Sequence, residues 1–592
     1  MRVFSSIIAV VLSMTAVGCG DDGGGGGVDT GVTPPRDSGT PPPRPDGGSS
    51  TGGERNPVCE VGTSAGEVAA PEHLMNLRGQ TSWFASPIVA DLDGDGVNEL
   101  IAAYYDVFVF DDAGELLDEA SFGDGRIYAP HVVADLEGDG IVEVVYGRGQ
   151  EVWALEWRDG AFQQKSGWPQ DTTTAGNSSE VRGLVAGDLD NDGLLEIIAT
   201  TTQTERSENG GAQVFVYSVN GALYQPADAS FPAWPRYNDR TGAGGDMDRN
   251  GQGHNGFGCY GLNVGIGNID DDADLEILAT YDNHHIQAFD KNGEAIDAAP
   301  YFTNRQTDYS GMPLTWGQFI RWADPAVEDA HYNRHEGEWP HPRAQEWLQW
   351  TASPPNVVDL DGDGQNEVLG IPNIEMNEPY ETQAYGILVL EGAHGDGSRS
   401  AMRLPGWETM PRGEAPIQVD GWYPPGGVPA ALTLDVQGDN APEIIVSLND
   451  GFVYAFGADA TRLWRFDFTH GETIMYSSEV VAADLNQDGS PELVFTTFGS
   501  PDVVSGYLMI LGADGTLLHD IPLPDPGDNG NGNGSPAAPG IYDLDGDGQL
   551  EIIVQTFDHG MDVFTVPGSG TACTPWPTAR GGPLRMGQPN GG

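Results

Sequence analysis

An all-β repeat fold, made of small antiparallel sheets set around an axis, is the class that the sequence predicts, and three observations predict it. An acidic nine-residue phrase occurs eight times in the 592 residues. Each copy runs at once into an apolar, β-rich stretch, usually followed by a hairpin turning at Asn-Gly, Asp-Gly or Ala-Gly. A short strand-like run such as Ser86-Pro87-Ile88-Val89-Ala90 precedes the phrase. One unit thus holds a strand, a loop, a second strand and a two-strand hairpin, which is the blade of a β-propeller. Eight phrases predict eight blades; seven is the alternative count if one phrase lies in an insertion.

The plainest phrase is Asp91-Leu92-Asp93-Gly94-Asp95-Gly96-Val97-Asn98-Glu99. Calcium takes six to eight hard oxygen ligands, which a tight loop supplies from alternate side chains, one backbone carbonyl and a final bidentate carboxylate. Positions 1, 3, 5, 7 and 9 meet that need as Asp91, Asp93, Asp95, the carbonyl of Val97, and Glu99. An EF-hand is excluded, because its closing Glu stands at position 12 and enters a helix, whereas Glu99 opens a β-rich run. Asp-Gly turns alone would not require the far Glu, nor carboxylates at alternate positions, and crowded carboxylates repel unless neutralised.

The other copies are read in chain order. The second has Asp135, Glu137, Asp139, Ile141 and Glu143, with the longer Glu137 arm distorting the shell. The third is Asp188, Asp190, Asp192, Leu194 and Glu196. The fourth opens on an amide as Asn268, Asp270, Asp272, Asp274 and Glu276. The fifth is Asp359, Asp361, Asp363, Gln365 and Glu367. The sixth, Asp435, Gln437, Asp439, Ala441 and Glu443, carries Asn440 where Gly is usual and Pro442 before its Glu, and ranks as the weakest binder. The seventh is Asp484, Asn486, Asp488, Ser490 and Glu492. The eighth is Asp543, Asp545, Asp547, Gln549 and Glu551. The expected cofactor is therefore calcium, in several ions up to about eight, used as structural staples rather than catalytic centres.

The hairpins form a second repeat series: Val107 to Leu117, Val214 to Tyr224, Ile286 to Ile296 and Leu508 to Leu518, with Val453 to Trp464 a looser relative. Two insertions interrupt the repeats, at about 233–260 and 301–350. The first includes Asp246-Met247-Asp248-Arg249-Asn250-Gly251, a partial ninth loop without its Glu. In the second, Leu314 to Ala330 and Arg343 to Trp350 read as partly helical and carry Trp316, Trp322, Trp347 and Trp350, with Trp339 between them. Such a cluster suits either insertion packing or a carbohydrate platform. Insertions on a rigid repeat scaffold are where binding usually lives.

Residues 1–19 read as an export signal, with Arg2, the apolar Ile7 to Leu12, and Ala16-Val17-Gly18-Cys19. Those last four resemble the lipobox of bacterial lipoproteins, which implies a lipidated Cys19 and a place at the outer membrane or cell surface; ordinary secretion is the alternative. Residues 20–56, rich in Gly and Pro, read as a disordered tether. The repeat domain is then 57–592. Cys59 and Cys573 flank the first and last repeats, where the ends of a ring meet, so a disulfide between them is expected in an oxidising compartment. The alternative is three free thiols, with Cys259 left over.

The formal charge is -63, from 89 acidic against 26 basic residues, which argues against nucleic acid or an anionic membrane surface as a direct partner. Contact with a membrane is expected only through an N-terminal lipid. Catalytic constellations are not recognisable. The one unclaimed cluster is histidine: His284, His285, His331, His335 and His341. His331 and His335 stand at i and i+4, but no His-Glu-x-x-His pattern supports a zinc site.

The loops and the strands after them look like the FG-GAP and VCBS repeat family, known from integrin α-chain propellers and many bacterial surface proteins. The resemblance spans about Ala85 to Thr565 and implies calcium ions that rigidify the blades. The Phe-Gly-Gly-Ala-Pro signature of the integrin type is not present as such, so the chain is closer to the bacterial form. The ending Pro575 to Gly582 looks like a closing segment seen after such propellers. The role implied is a non-enzymatic binding, adhesion or scaffold module for a protein or glycan partner. The alternative is a polysaccharide lyase on a calcium-stabilised propeller, against which the sparse Lys and Arg speak.

Overall fold

A computed structural model describes residues 58–589 except 64–65, 79–83, 173–179, 202–213, 225–263, 282–284, 305–313, 329–345, 351–352, 376–383, 416, 418–428, 500–505, 525–532, 558 and 572. In every repeat the acidic phrase joins an innermost strand to a second, antiparallel one. The innermost strands are Ile88–Ala90, Val132–Ala134, Val181–Gly187, Val264–Gly267, Asn356–Val358, Leu432–Leu434, Val481–Ala483 and Gly540–Tyr542. The closing Glu of the phrase begins or directly enters the second strand, as in Glu99–Ala103, Glu196–Thr201 and Leu550–Gln555, whose residues are all buried. That burial explains why these runs read as continuously apolar: each is covered on both faces by neighbouring blades, so alternation has no solvent side to serve.

Third strands follow at Val107–Phe110, Glu151–Arg158, Val214–Tyr217, His285–Phe289, Leu388–Glu391, Phe452–Phe456, Tyr507–Leu511 and Met561–Val566. The sheets make eight blades of a β-propeller. The hairpin series gives full outer strands at Leu116–Ala120, Ala161–Gln164, Arg462–Asp467 and Leu517–Pro522. In the third, fourth and fifth blades it leaves only single bridges, Tyr217 with Leu223, Phe289 with Ala295, and Leu390 with Arg403. Its turns are pinned locally: Asp111 Oδ1 accepts the N–H groups of Ala113 and Glu115, and Asp290 Oδ1 those of Asn292 and Glu294.

The ring closes by exchange between chain ends. Glu72–Leu77 pairs antiparallel with Met561–Val566 and supplies the outer strand of the eighth blade. Gln555 Nε2 donates to the Ala103 carbonyl at 2.8 Å, tying the eighth blade to the first. Cys59 and Cys573 form a disulfide across a separation of 514 residues. After Cys573 the chain enters the axis. Trp576 exchanges backbone bonds with Ala482 of the seventh blade, Pro577 accepts from Ile541 of the eighth, Pro583 from Val133 of the second, and Leu584 from Ala186 of the third. Arg585 donates to the carbonyls of His131 and Ser86, and Arg580 to Asn356 Oδ1 and the Pro355 carbonyl of the fifth blade. The closing segment is therefore an axial plug with its own hydrogen bonds to six blades.

The second insertion departs from the reading of its sequence. Trp347–Gln349 is a strand, paired with Asn373–Glu375 in a small separate sheet, where a partly helical run was expected. Between Leu314 and Glu328 the chain forms turns and one helical turn at 325–328. Trp316, Trp322 and Trp350 are buried to within 1%. Trp316 Nε1 donates to the Glu391 carbonyl and Trp350 Nε1 to that of Ile320, so these two pack the insertion onto the fourth and fifth blades, and none of the three is exposed as a sugar platform would be. Trp339, His284, His331, His335, His341, Cys259, the partial loop at 246–251 and all of 1–57 lie outside the described residues, as does the side chain of His285. Among the described residues no helix is long and apolar enough to cross a membrane.

Candidate functional site

The eight acidic loops share one internal geometry, built from sequence-local bonds. The apolar residue at position 2 (Leu92, Leu136, Leu189, Ile269, Leu360, Val436, Leu485 or Leu544) is buried and anchors the loop to the core. Its backbone N–H donates to Oε2 of the Glu at position 9, at 2.7–3.1 Å in all eight loops. The N–H of position 7 donates to the side-chain oxygen of position 5, again in all eight. Oδ2 of the position 1 Asp accepts the N–H of position 6 in seven. In those seven, positions 4 and 6 are left-handed, which is why Gly or Asn stands at all of them except Gln487 of the seventh loop.

Two loops differ from what their residues led one to expect. The fourth, with Asp271 and Ala273 at positions 4 and 6, has no left-handed residue, and Asn268 Nδ2 turns inward to the Asp272 carbonyl. The sixth, ranked weakest on sequence, keeps the shared backbone: Asn440 sits at φ 69° and donates to Asp435 Oδ2 at 2.8 Å. One oxygen of the closing Glu is held by a backbone N–H in every loop, so a bidentate grip on a cation would share Oε2 with that bond.

Neighbouring loops touch along one rim. Asn98 Nδ2 donates to the Asp543 carbonyl, Asn366 Nδ2 to that of Asn268, and Asn191 Nδ2 to that of Ala273. Leu195 N donates to the Leu136 carbonyl and Leu275 N to that of Leu189. These bonds brace four of the eight junctions between successive loops: eighth to first, second to third, third to fourth and fourth to fifth.

Carboxylates gather within 4.8 Å of one another at Asp91, Asp93 and Asp95; at Asp188, Asp190 and Asp192; at Asp270, Asp272 and Glu276; and at Asp359, Asp361 and Glu367. Asp190 Oδ1 and Asp543 Oδ1 are buried oxygens with no hydrogen-bond partner. Burial, helped by the neighbouring Asp groups and opposed by the backbone bond, lifts the closing carboxyls to about 7 at Glu196, Glu443 and Glu551 and about 8 at Glu276, Glu367 and Glu492. Glu99 and Glu143 are raised too. Orphaned hard oxygens and strained ionisation both fit a divalent cation such as calcium, which takes oxygen ligands in a flexible shell.

The second loop does not fit. Its gathered carboxylates are Glu137, Glu143 and Glu156, and Lys165 Nζ stands among them at 2.8, 2.9 and 3.3 Å. Sequence reasoning noticed the long arm of Glu137 but missed Lys165, and it missed Tyr224, whose hydroxyl donates to Asp190 Oδ2 at 2.8 Å. Nothing in the spacing pointed to either.

Residues 106–199, from the end of the first blade through the second and third loops, match the FG-GAP-like repeat family. The chain is a β-propeller, and this stretch of it is similar to an FG-GAP-like repeat. No curated relative matches it. Solved structures similar to it include the quinohemoprotein alcohol dehydrogenase of Comamonas testosteroni, at 13% identity over 87% of this chain and 78% of that one, with a TM-score of 0.45. The exotype rhamnogalacturonan lyase YesX is 14% identical over 85% and 76%, with a TM-score of 0.44. BamB from Moraxella catarrhalis is 12% identical over 84% and 98%, with a TM-score of 0.38.

Proposed function

We propose that this propeller is a calcium-stabilised binding or scaffold module, exported and held at a cell surface through Cys19 or secreted, that engages a protein or glycan partner. The observation that carries the reading is the buried, unpartnered carboxylate oxygens of the third and eighth loops, which are themselves bonded to neighbouring loops. A cation at such a loop would neutralise the gathered carboxylates and hold the turn; the chain's own bonds already set the turn's shape. The axial plug supports a scaffold role, since inner strands of six blades spend backbone or side-chain groups on the tail rather than on a ligand. The disulfide suits an oxidising compartment.

Metal analysis and thermal unfolding of the purified protein, before and after EGTA, test the stabilising role. Several calcium ions per chain and a melting temperature lowered by many degrees on their removal are expected; an unchanged melting curve after confirmed removal would overturn it. A glycan array run beside a lyase assay tests the module. Binding without unsaturated uronate products supports it, while such products would replace it with a lyase.

A further inference from the structure

We propose that Lys165 is the resident cation of the second loop, its ammonium group standing where the other loops would take calcium. The inference rests on the calcium reading of those loops. The chain has only two lysines, Lys165 and Lys291. Lys165 follows the outer strand Ala161–Gln164 of the second blade, is 4% exposed, and directs its three N–H donors at three carboxylates. Two of those belong to the loop, Glu137 at position 3 and Glu143 at position 9. The third, Glu156, comes from the third strand of the same blade, and Arg158 Nε binds its other oxygen at 2.5 Å.

The substitution of Glu for Asp at position 3 has a purpose in this geometry: the extra methylene carries the carboxylate out to the ammonium. Lys291 offers a contrast. It pairs with Asp274, whose side chain at position 7 lies outside the gathered Asp270, Asp272 and Glu276, so no ammonium stands among that group. A divalent ion and the Lys165 ammonium cannot share the second site, since both need the same inward oxygens and repel each other at contact distance. The second loop is therefore a metal-independent link in an otherwise metal-dependent rim.

Two measurements decide the matter. Lys165→Met, purified in calcium, should bind one more equivalent of calcium than the native protein by equilibrium dialysis with atomic emission; an equal count overturns the proposal. On the native chain, hydrogen exchange in EGTA should leave peptides over 135–143 as protected as in calcium while peptides over 188–196 and 359–367 lose protection. Loss at 135–143 in step with the others would overturn it even if the variant failed to fold. A native protein that binds no calcium beside a variant that binds one would sink the wider reading and leave Lys165 in its assigned place.

Discussion

Single buried ionisable residues set the acid limits of this molecule. His131 is fully buried at the axis, and burial together with the adjacent Arg585 holds its pKa down to about 3. Its folded value lies below the unfolded one, so it contributes stability above about pH 6.5 that is lost as pH falls toward 3, at most about 1.4 kcal/mol per pH unit. His131→Phe should flatten the fall in melting temperature between pH 6 and pH 4; an unaltered slope would mean that other groups set it. Glu479, also at the axis, is pushed up to about 7 by burial, against the pull of Arg580, whose backbone N–H it accepts at 2.6 Å. None of these axial residues was distinguishable in the sequence, where a lone His before a short strand or an Arg in a Gly-rich tail has no local signature.

At the scale of the element, the loop and its alternating acidic positions were legible, because the bonds that shape it lie within nine residues; the buried anchor at position 2 showed only in the structure. What could not be read there comes from outside the phrase: Lys165 reaches Glu143 across 22 residues, and Tyr224 reaches Asp190 across 34. The elements also dictate a pH signature. The closing carboxyls, raised to about 7–8 without an ion, contribute stability that is present below their unfolded values and lost as pH rises through 7 to 8. Protonation thus stands in for a cation at low pH. EGTA should therefore lower the melting temperature more at pH 8.5 than at pH 6, and a calcium effect equal at both would show that the buried Glu is not part of the response. The helical reading of 343–350 fails over Trp347–Gln349, which pairs with Asn373–Glu375 in an extra sheet, a partner that no nearby residue announces.

For the whole molecule, closure is threefold: an outer strand lent by the chain start, a disulfide, and a tail laid along the axis. Removing the disulfide with Cys59→Ala and Cys573→Ala should cost about 3–5 kcal/mol in denaturant unfolding by the loop-entropy argument. Ending the chain at Thr574 tests the plug separately. It removes Trp576, wholly buried in the core, and leaves Glu479 buried without Arg580, which should cost more than about 3 kcal/mol; a truncated chain as stable as the native one would show the tail to be an ornament. The sequence by itself determined the repeated unit, its acidic turn and the all-β class, because each is specified by residues a few positions apart. Only the tertiary structure decided that there are eight blades, that the tail fills the axis, and that a lysine sits in one loop, because those facts depend on distances between residues that the chain brings together from afar.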